Sequence, residues 1–265
     1  MHHRVSSISP TILEAALSNR IKTLLLTLLL LLPALRAHAD NTELDVYRGE
    51  IADEGESNID FAANIAKTSR HSDGRGASVF QAVTEYSYGL DDSWEVGLKL
   101  PVYAMGGAWK AGGLLSEIKY VAPHEKYGWY WGAEFEIGYE SIVGEDEQWT
   151  LETVPIIGWR NRFWDISLNP GVTITSGGEQ RGTVIFEPAG KIAYATGDKC
   201  AVGIEYFSEA GPIGHLLPAR ERNDLLFLTL DTRIGKSAVN IGLGHGVGAA
   251  SPGLALKTVI DLEFD

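Results

Sequence analysis

The residues that could do chemistry in this 265-residue chain are mostly carboxylates, and they recur at every second position of short runs. Glu134, Glu136 and Glu140 alternate with Phe135, Ile137 and Tyr139; Glu95 and Lys99 alternate with Val96, Leu98 and Leu100. Side chains of an extended strand point alternately to its two faces, so each run sorts into one charged and one apolar face. The charged face collects Asp60, Glu85, Glu95, Glu117, Glu134, Glu136, Glu140, Glu152, Asp165, Glu187, Glu205, Asp231, Asp261 and Glu263. The bases on it are Lys99, Lys119, Arg160, Lys191, Arg233 and Lys257, six against fourteen acids. Carboxylates lining a wet passage favour cations and repel anions. The same residues can instead pair across strands as structural ladders. For a single residue pairing is the default reading; for the net acidic excess, cation preference is the better one.

Other chemistries lack their constellations. A serine hydrolase needs Ser, His and a carboxylate or amide within hydrogen-bond reach. His245 lies in Leu243-Gly244-His245-Gly246 near Ser251, and His215 lies in the stretch 209–223. His71 and Ser72 are adjacent, so they point to opposite sides. None of these makes a triad, and no catalytic residue and no enzyme are expected. The histidines show no metal-ligand spacing, so no metal or other cofactor is expected. Glycines in 242–248 read as relief of crowding in a bent strand, not as a phosphate loop. The single cysteine, Cys200, excludes an intramolecular disulfide.

The elements that must position these charges are strands of about ten residues. Five short polar turns delimit them: Asp91-Asp92-Ser93, His124-Glu125-Lys126, Arg160-Asn161-Arg162, Thr196-Gly197-Asp198-Lys199 and Gly235-Lys236-Ser237. Between neighbouring turns lie two alternating runs joined by a longer, Gly-rich or charged loop. Short turns at one end and long loops at the other describe a transmembrane antiparallel up-and-down β-barrel, all-β, with about 12 strands. A lipid-facing charge near the midplane costs several kcal/mol, so the charged face must be the lumen. A soluble sandwich or lipocalin-like barrel would reverse the faces. The aromatics Trp94, Trp129, Trp131, Trp159, Trp164 and Tyr194 cluster near strand ends, as an interfacial girdle does. An arginine on the apolar face should therefore damage assembly far more than a charge reversal at a lumen position such as Glu134.

Residues 1–39 read as a cleaved signal peptide. Arg20 and Lys22 precede a Leu-rich run of about 13 residues and Ala37-His38-Ala39. That run is shorter than the roughly 20 residues a spanning helix needs. Residues 40–57 are acidic and without a clear period, a short periplasmic N-terminal segment, and 58–265 form the outer-membrane barrel. Cleavage after Ala39 leaves 18 basic and 34 acidic residues, a net charge of −16. That excess argues against nucleic acid as a partner. The expected partners are outer-membrane lipid and lipopolysaccharide, the barrel-assembly machinery and small-molecule solutes.

The final strand, Leu254 to Phe264, resembles the C-terminal assembly signal of Gram-negative outer-membrane proteins, although Asp265 follows the aromatic. Gly203-Ile204-Glu205-Tyr206-Phe207, Gly211-Pro212-Ile213, Leu217-Pro218-Ala219-Arg220-Glu221-Arg222, Leu225-Leu226-Phe227 and Asn240-Ile241-Gly242-Leu243-Gly244-His245-Gly246 resemble a family of transporter-like proteobacterial barrels. Those barrels are related to an outer-membrane protein of the phenol meta-cleavage pathway. The resemblance covers the layout of 75–265 and is specific over 203–264. It implies a porin-like channel for passive uptake of small molecules. It transfers no substrate and no catalytic residue. A closed structural or interaction barrel is the next reading, and a lipid-modifying enzyme the third.

Overall fold

Alternation of period two leaves no helical face to bury, and from Ser57 onward the described residues pair into strands joined by turns and loops. A computed structural model describes residues 44–67, 78–105, 107–141, 147–177, 181–248 and 251–264. The strands are β1 (Ser57–Lys67), β2 (Ser78–Asp91), β3 (Trp94–Met105), β4 (Ala108–Ala111), β5 (Gly113–Val121), β6 (Gly128–Glu140) and β7 (Gln148–Arg160). They continue as β8 (Trp164–Thr175), β9 (Val184–Ala195), β10 (Cys200–Glu209), β11 (Gly211–Pro212), β12 (Asn223–Ile234), β13 (Ser237–Gly246) and β14 (Leu254–Phe264). The pairs β4 and β11 are short ledges on β3 and β9. The other twelve form one antiparallel meander, and β1 pairs with β14 from Ser57↔Phe264 to Lys67↔Leu254. That seam closes the barrel, so no edge is left to bind another chain.

The five turns expected from sequence lie together at one end, with the start of β1 and the end of β14. By the rule for such barrels this end faces the periplasm. The two faces follow the parity read from sequence. Phe135 is 45% exposed, whereas its neighbour Glu134 is 2% exposed. Leu98, Ile118, Ile137, Leu168, Ile204, Leu228 and Leu243 form the apolar outer band. Aromatics gather at the short-turn end: Trp94 packs tilted against Tyr120 at 4.8 Å, and Tyr120 meets Trp131 at 5.7 Å and Trp164 meets Tyr194 at 4.9 Å edge to face. A second set, Phe80 with Trp109 and Tyr139 with Trp149, stands at the long-loop end. Two girdles around an apolar band are what a bilayer requires. The signal-peptide residues, His71, Ser72 and the side chains of Glu263 and Phe264 lie outside the described residues.

The N-terminal segment departs from its expected place. Residues 44–56 run through the barrel lumen instead of below it. Leu44 and Val46 are buried against Phe207, Leu225, Phe227 and Ala255 toward the long-loop end. From there the chain descends to Glu54, which bridges to Gly89 at the short-turn end. A Cβ at Gly89 would lie 2.2 Å from the Asp53 carbonyl oxygen, so only glycine lets the segment pass this close. The absence of a period in 40–57 hid a shorter signal. Leu44 and Val46 alternate with polar Asp45 and Tyr47, as a two-sided strap packed in a barrel must.

Phe135 sits near the middle of β6 on the lipid face. Phe135→Arg is expected to lower unfolding free energy in liposomes by about 2–4 kcal/mol, read by urea titration of tryptophan fluorescence. Leu228→Arg should behave alike, because it occupies the same band on the opposite wall.

Candidate functional site in the charged lumen

The lumen side chains gather into three charge clusters. The first centres on Lys99, which β3 projects inward at 2% exposure. Its Nζ lies 2.6 Å from Glu117 Oε2, 3.2 Å from Glu134 Oε1 and 3.0 Å from Glu136 Oε2. It also donates to the Tyr47 hydroxyl at 2.9 Å. Glu85 and Glu95 converge with Glu117 on the same patch, and Lys119 approaches Glu95 at 3.9 Å. The register brings this about: Glu117 opposes Glu136, Lys119 opposes Glu134 and Glu95 opposes Lys119. Opposed carboxylates repel unless a cation sits between them, and Lys99 is that cation.

The second cluster joins β9, β10, β12, β13 and β14. Lys191 Nζ lies 2.9 Å from Glu205 Oε1 and 2.7 Å from Asp231 Oδ1. Lys257 pairs with Glu205 from the other side and donates to the Leu44 carbonyl at 2.7 Å. Asn240 Nδ2 donates to both Glu205 and Asp231. The third cluster closes the short-turn end. Arg160 contacts Glu50 and Asp165, and Arg48 Nη1 stands 3.5 Å from Asp165.

The strap is fastened by all three clusters. Asn169 Nδ2 donates to the Tyr47 carbonyl at 3.1 Å, and Ala52 N donates to Glu95 Oε2 at 2.6 Å. The Tyr47 ring lies 5.4 Å from Lys99 Nζ and 5.6 Å from Lys119 Nζ, within cation–π range. Asn169 is available because prolines interrupt the neighbouring ladder. The β7–β8 pairing breaks between Thr153↔Val172 and Ile157↔Leu168, with Pro155 and Pro170 in the gap. The same Asn169 Nδ2 reaches the Pro155 carbonyl at 3.4 Å.

The inward wall is not uniformly polar. Phe207, Leu225 and Phe227 point into the lumen and meet Leu44 and Val46. It also shows what the glycines of this stretch make room for. A Cβ on Gly244 would lie 2.5 Å from the Phe227 ring, and one on Gly242 would lie 3.0 Å from it. At Gly244 the crowding comes from the Phe227 ring, at Gly242 from that ring and the Lys257 side chain, and at Gly246 from Pro252 and Ser251.

Of the charges expected on the lumen face, Glu85, Glu95, Lys99, Glu117, Lys119, Glu134 and Glu136 meet around Lys99. Lys191, Glu205 and Asp231 meet in the second cluster, and Asp165 stands in the third. Glu140, Glu152 and Glu187 line a cavity between the strap and the lumen wall, which also includes Val83, Lys99, Leu115 and Phe207. Arg233 lies exposed at the short-turn rim, outside these clusters. Sequence reasoning missed Tyr47, Arg48, Glu50 and Asn169, and it missed the apolar lumen patch. The signal for the patch was present: Phe207, Leu225 and Phe227 occupy inward parity, with Leu225 and Phe227 opposite Gly246 and Gly244. The comparison of Glu134→Arg with an arginine on the apolar face gains a further element from the structure. Glu134 is fully buried 3.2 Å from an ammonium, where a guanidinium would be repelled.

The class that fold and lumen define is the outer-membrane β-barrel, with twelve strands, two aromatic girdles and an inward-facing charge set. Among solved structures the chain is similar to the COG4313 outer membrane channel from Pseudomonas putida F1, with a TM-score of 0.64 and 13% identity, covering 84% of this chain and 100% of that one. It is also similar to the KdgM porin, with a TM-score of 0.53 and 9% identity over 78% of this chain and 99% of that one. A second structure of that porin, in complex with disordered oligogalacturonate, gives a TM-score of 0.53 at 10% identity. At these identities the likeness is one of fold. No protein-family model matches the chain, and no curated protein matches it.

Removing the Lys99 charge would leave three buried carboxylates around a neutral group. Lys99→Met is expected to cost about 3–5 kcal/mol, against less than 1 kcal/mol for Lys126→Met in an exposed turn, both read by urea unfolding. In a separate test, Leu44→Asp with Val46→Asp should release the strap, making the bonds after Tyr47 and Arg48 cleavable by added protease in the folded barrel.

Proposed function

We propose that this barrel is a porin-like channel of the outer membrane that passes small solutes passively, with a narrow path and a mild preference for cations. The observation that carries the reading is the cavity beside the strap. Its lining includes Asp45, Glu136, Glu140, Glu152 and Glu187, with Lys99 the one basic residue among its described lining. Carboxylates in a low-dielectric wall focus a negative potential on whatever enters. The porin and channel folds to which the chain is similar support the same assignment. Aromatic degradation products as solutes rest only on the family resemblance of 203–264. Nothing in the lumen assembles a nucleophile with a base and a charge-stabilising donor among the described residues, which supports a transport reading over an enzymatic one.

The strap favours a second reading, a closed barrel with a structural or interaction role. It is tied to the wall by hydrogen bonds, ion pairs and apolar packing at both ends of the lumen. Conductance in planar bilayers separates the two. The intact barrel should show small, cation-preferring steps, and deletion of residues 44–52 should enlarge them several-fold. Glu140→Gln, Glu152→Gln and Glu187→Gln together should move the reversal potential in a salt gradient toward the anion value. At about 1 M salt the preference should fade, because the screening length drops to about 3 Å. A barrel that conducts neither intact nor without the strap is the closed structural form.

A further inference from the structure

We infer that the lumen wall binds a small primary amine, whose ammonium sits in a notch at Gly171 between Glu152, Glu187 and Asn169. Asn169, Gly171 and Thr173 share the inward parity of β8. Gly171 pairs with Glu187 on β9, and Thr173 pairs with Glu152 on β7. A Cβ at Gly171 would lie 3.7 Å from Glu152 Oε1 and 3.0 Å from the Glu187 carbonyl oxygen. The missing side chain leaves an opening between two strands that each carry a carboxylate. Glu152, Asn169, Thr173 and Glu187 all line the cavity beside the strap. Lys99 lines that cavity too, but its ammonium is held by Glu117, Glu134 and Glu136 on β5 and β6.

The acceptors around the notch call for a donor. Asn169 is 1% exposed, and its Oδ1 accepts no hydrogen bond from the described residues. Its Nδ2 donates to the Tyr47 and Pro155 carbonyls, so turning the amide round would only move the deficit. Glu152 faces another acid, Glu136, across the β6–β7 pair, and no described base pairs with it. Glu187 accepts from the Thr173 hydroxyl at 2.5 Å, a neutral donor that leaves its charge in place. A buried acceptor without a donor is costly. A primary ammonium carries three N–H donors on a compact charge, one for each carboxylate and one for the amide oxygen. Val154, Pro188, Ala189 and Phe207 supply the apolar side of the same cavity. That side suits an alkyl stem, whereas a hard metal ion needs oxygens all round. The cavity measures about 70 Å³, against roughly 30 Å³ for one water in the liquid, so a short-chain amine fits. The inference rests on the channel reading for its sense, and it names the class of solute.

The test uses the full mature barrel refolded in detergent and titrated in a calorimeter at constant ionic strength. The probes are n-propylammonium chloride and, separately, tetramethylammonium chloride and CaCl2. One saturable site for propylammonium is expected, with Kd on the order of 1 mM. Tetramethylammonium has the same charge but no N–H, and should bind about tenfold more weakly or not at all. Glu152→Gln should weaken propylammonium about tenfold, while Glu125→Gln, in an exposed turn, leaves it unchanged. Heat-modifiable mobility on gels checks that each variant is folded. Should Glu152→Gln not fold, the unmodified protein decides: propylammonium must raise its thermal midpoint more than tetramethylammonium does, because a ligand bound only by the folded state stabilises it. No saturation up to about 10 mM, equal binding of the two ammonium ions, a site that prefers Ca2+, or full binding by folded Glu152→Gln overturns the proposal. Binding without conductance keeps the amine site and removes the channel; conductance without binding does the reverse.

Discussion

Everything in this molecule depends on the cost of placing charge against lipid. A barrel of this length has an outer face that must be apolar across the bilayer, so every ionisable side chain in mid-strand is turned inward. Inside, the charges meet at low dielectric and must neutralise one another. Lys99 and Lys191 do so by sitting between carboxylates from different strands, and Lys257 by pairing with Glu205 from the side opposite Lys191. The ladder of backbone hydrogen bonds closes the cylinder; these ammonium groups keep its interior from repelling itself apart.

The strap follows from the same constraint. Twelve strands enclose more space than their own inward side chains fill. Residues 44–56 occupy part of it, with hydrophobic groups meeting an apolar patch at one end and guanidinium–carboxylate contacts at the other. Its polar backbone atoms are met by Asn169, Lys257 and Glu95, side chains whose partners would otherwise be incomplete. The strap and the charged wall therefore complete each other's bonding.

Strand number, the short-turn end of the barrel and the sorting of faces were legible because turn residues punctuate the runs and period two is unambiguous when charge and hydrophobicity alternate. Glu134 beside Phe135 leaves one consistent orientation. The grouping of charges was not legible. Which acid opposes which base depends on register, and Glu117↔Glu136 or Asp60↔Glu85 cannot be read from one strand alone. The strap was the larger omission. Its four alternating residues are too few for a periodic signal, and its partners lie up to 213 positions away. Asn169 likewise has meaning only beside the ladder gap that Pro155 and Pro170 open.

The strap is continuous with β1, and β1 is one half of the β1–β14 seam. A cylinder sealed along that seam has no side entrance, so threading is a question of order. Either residues 44–56 already lie against the inner wall when β14 meets β1, or they are drawn in afterwards through the short-turn mouth. In the first case the sheet wraps around its own leading segment, and the aromatic patch on β10 and β12 must be made before Leu44 and Val46 have a seat. The last-made strands then receive the first-made residues, and the circle of the wall and the content of its interior are completed in a single step.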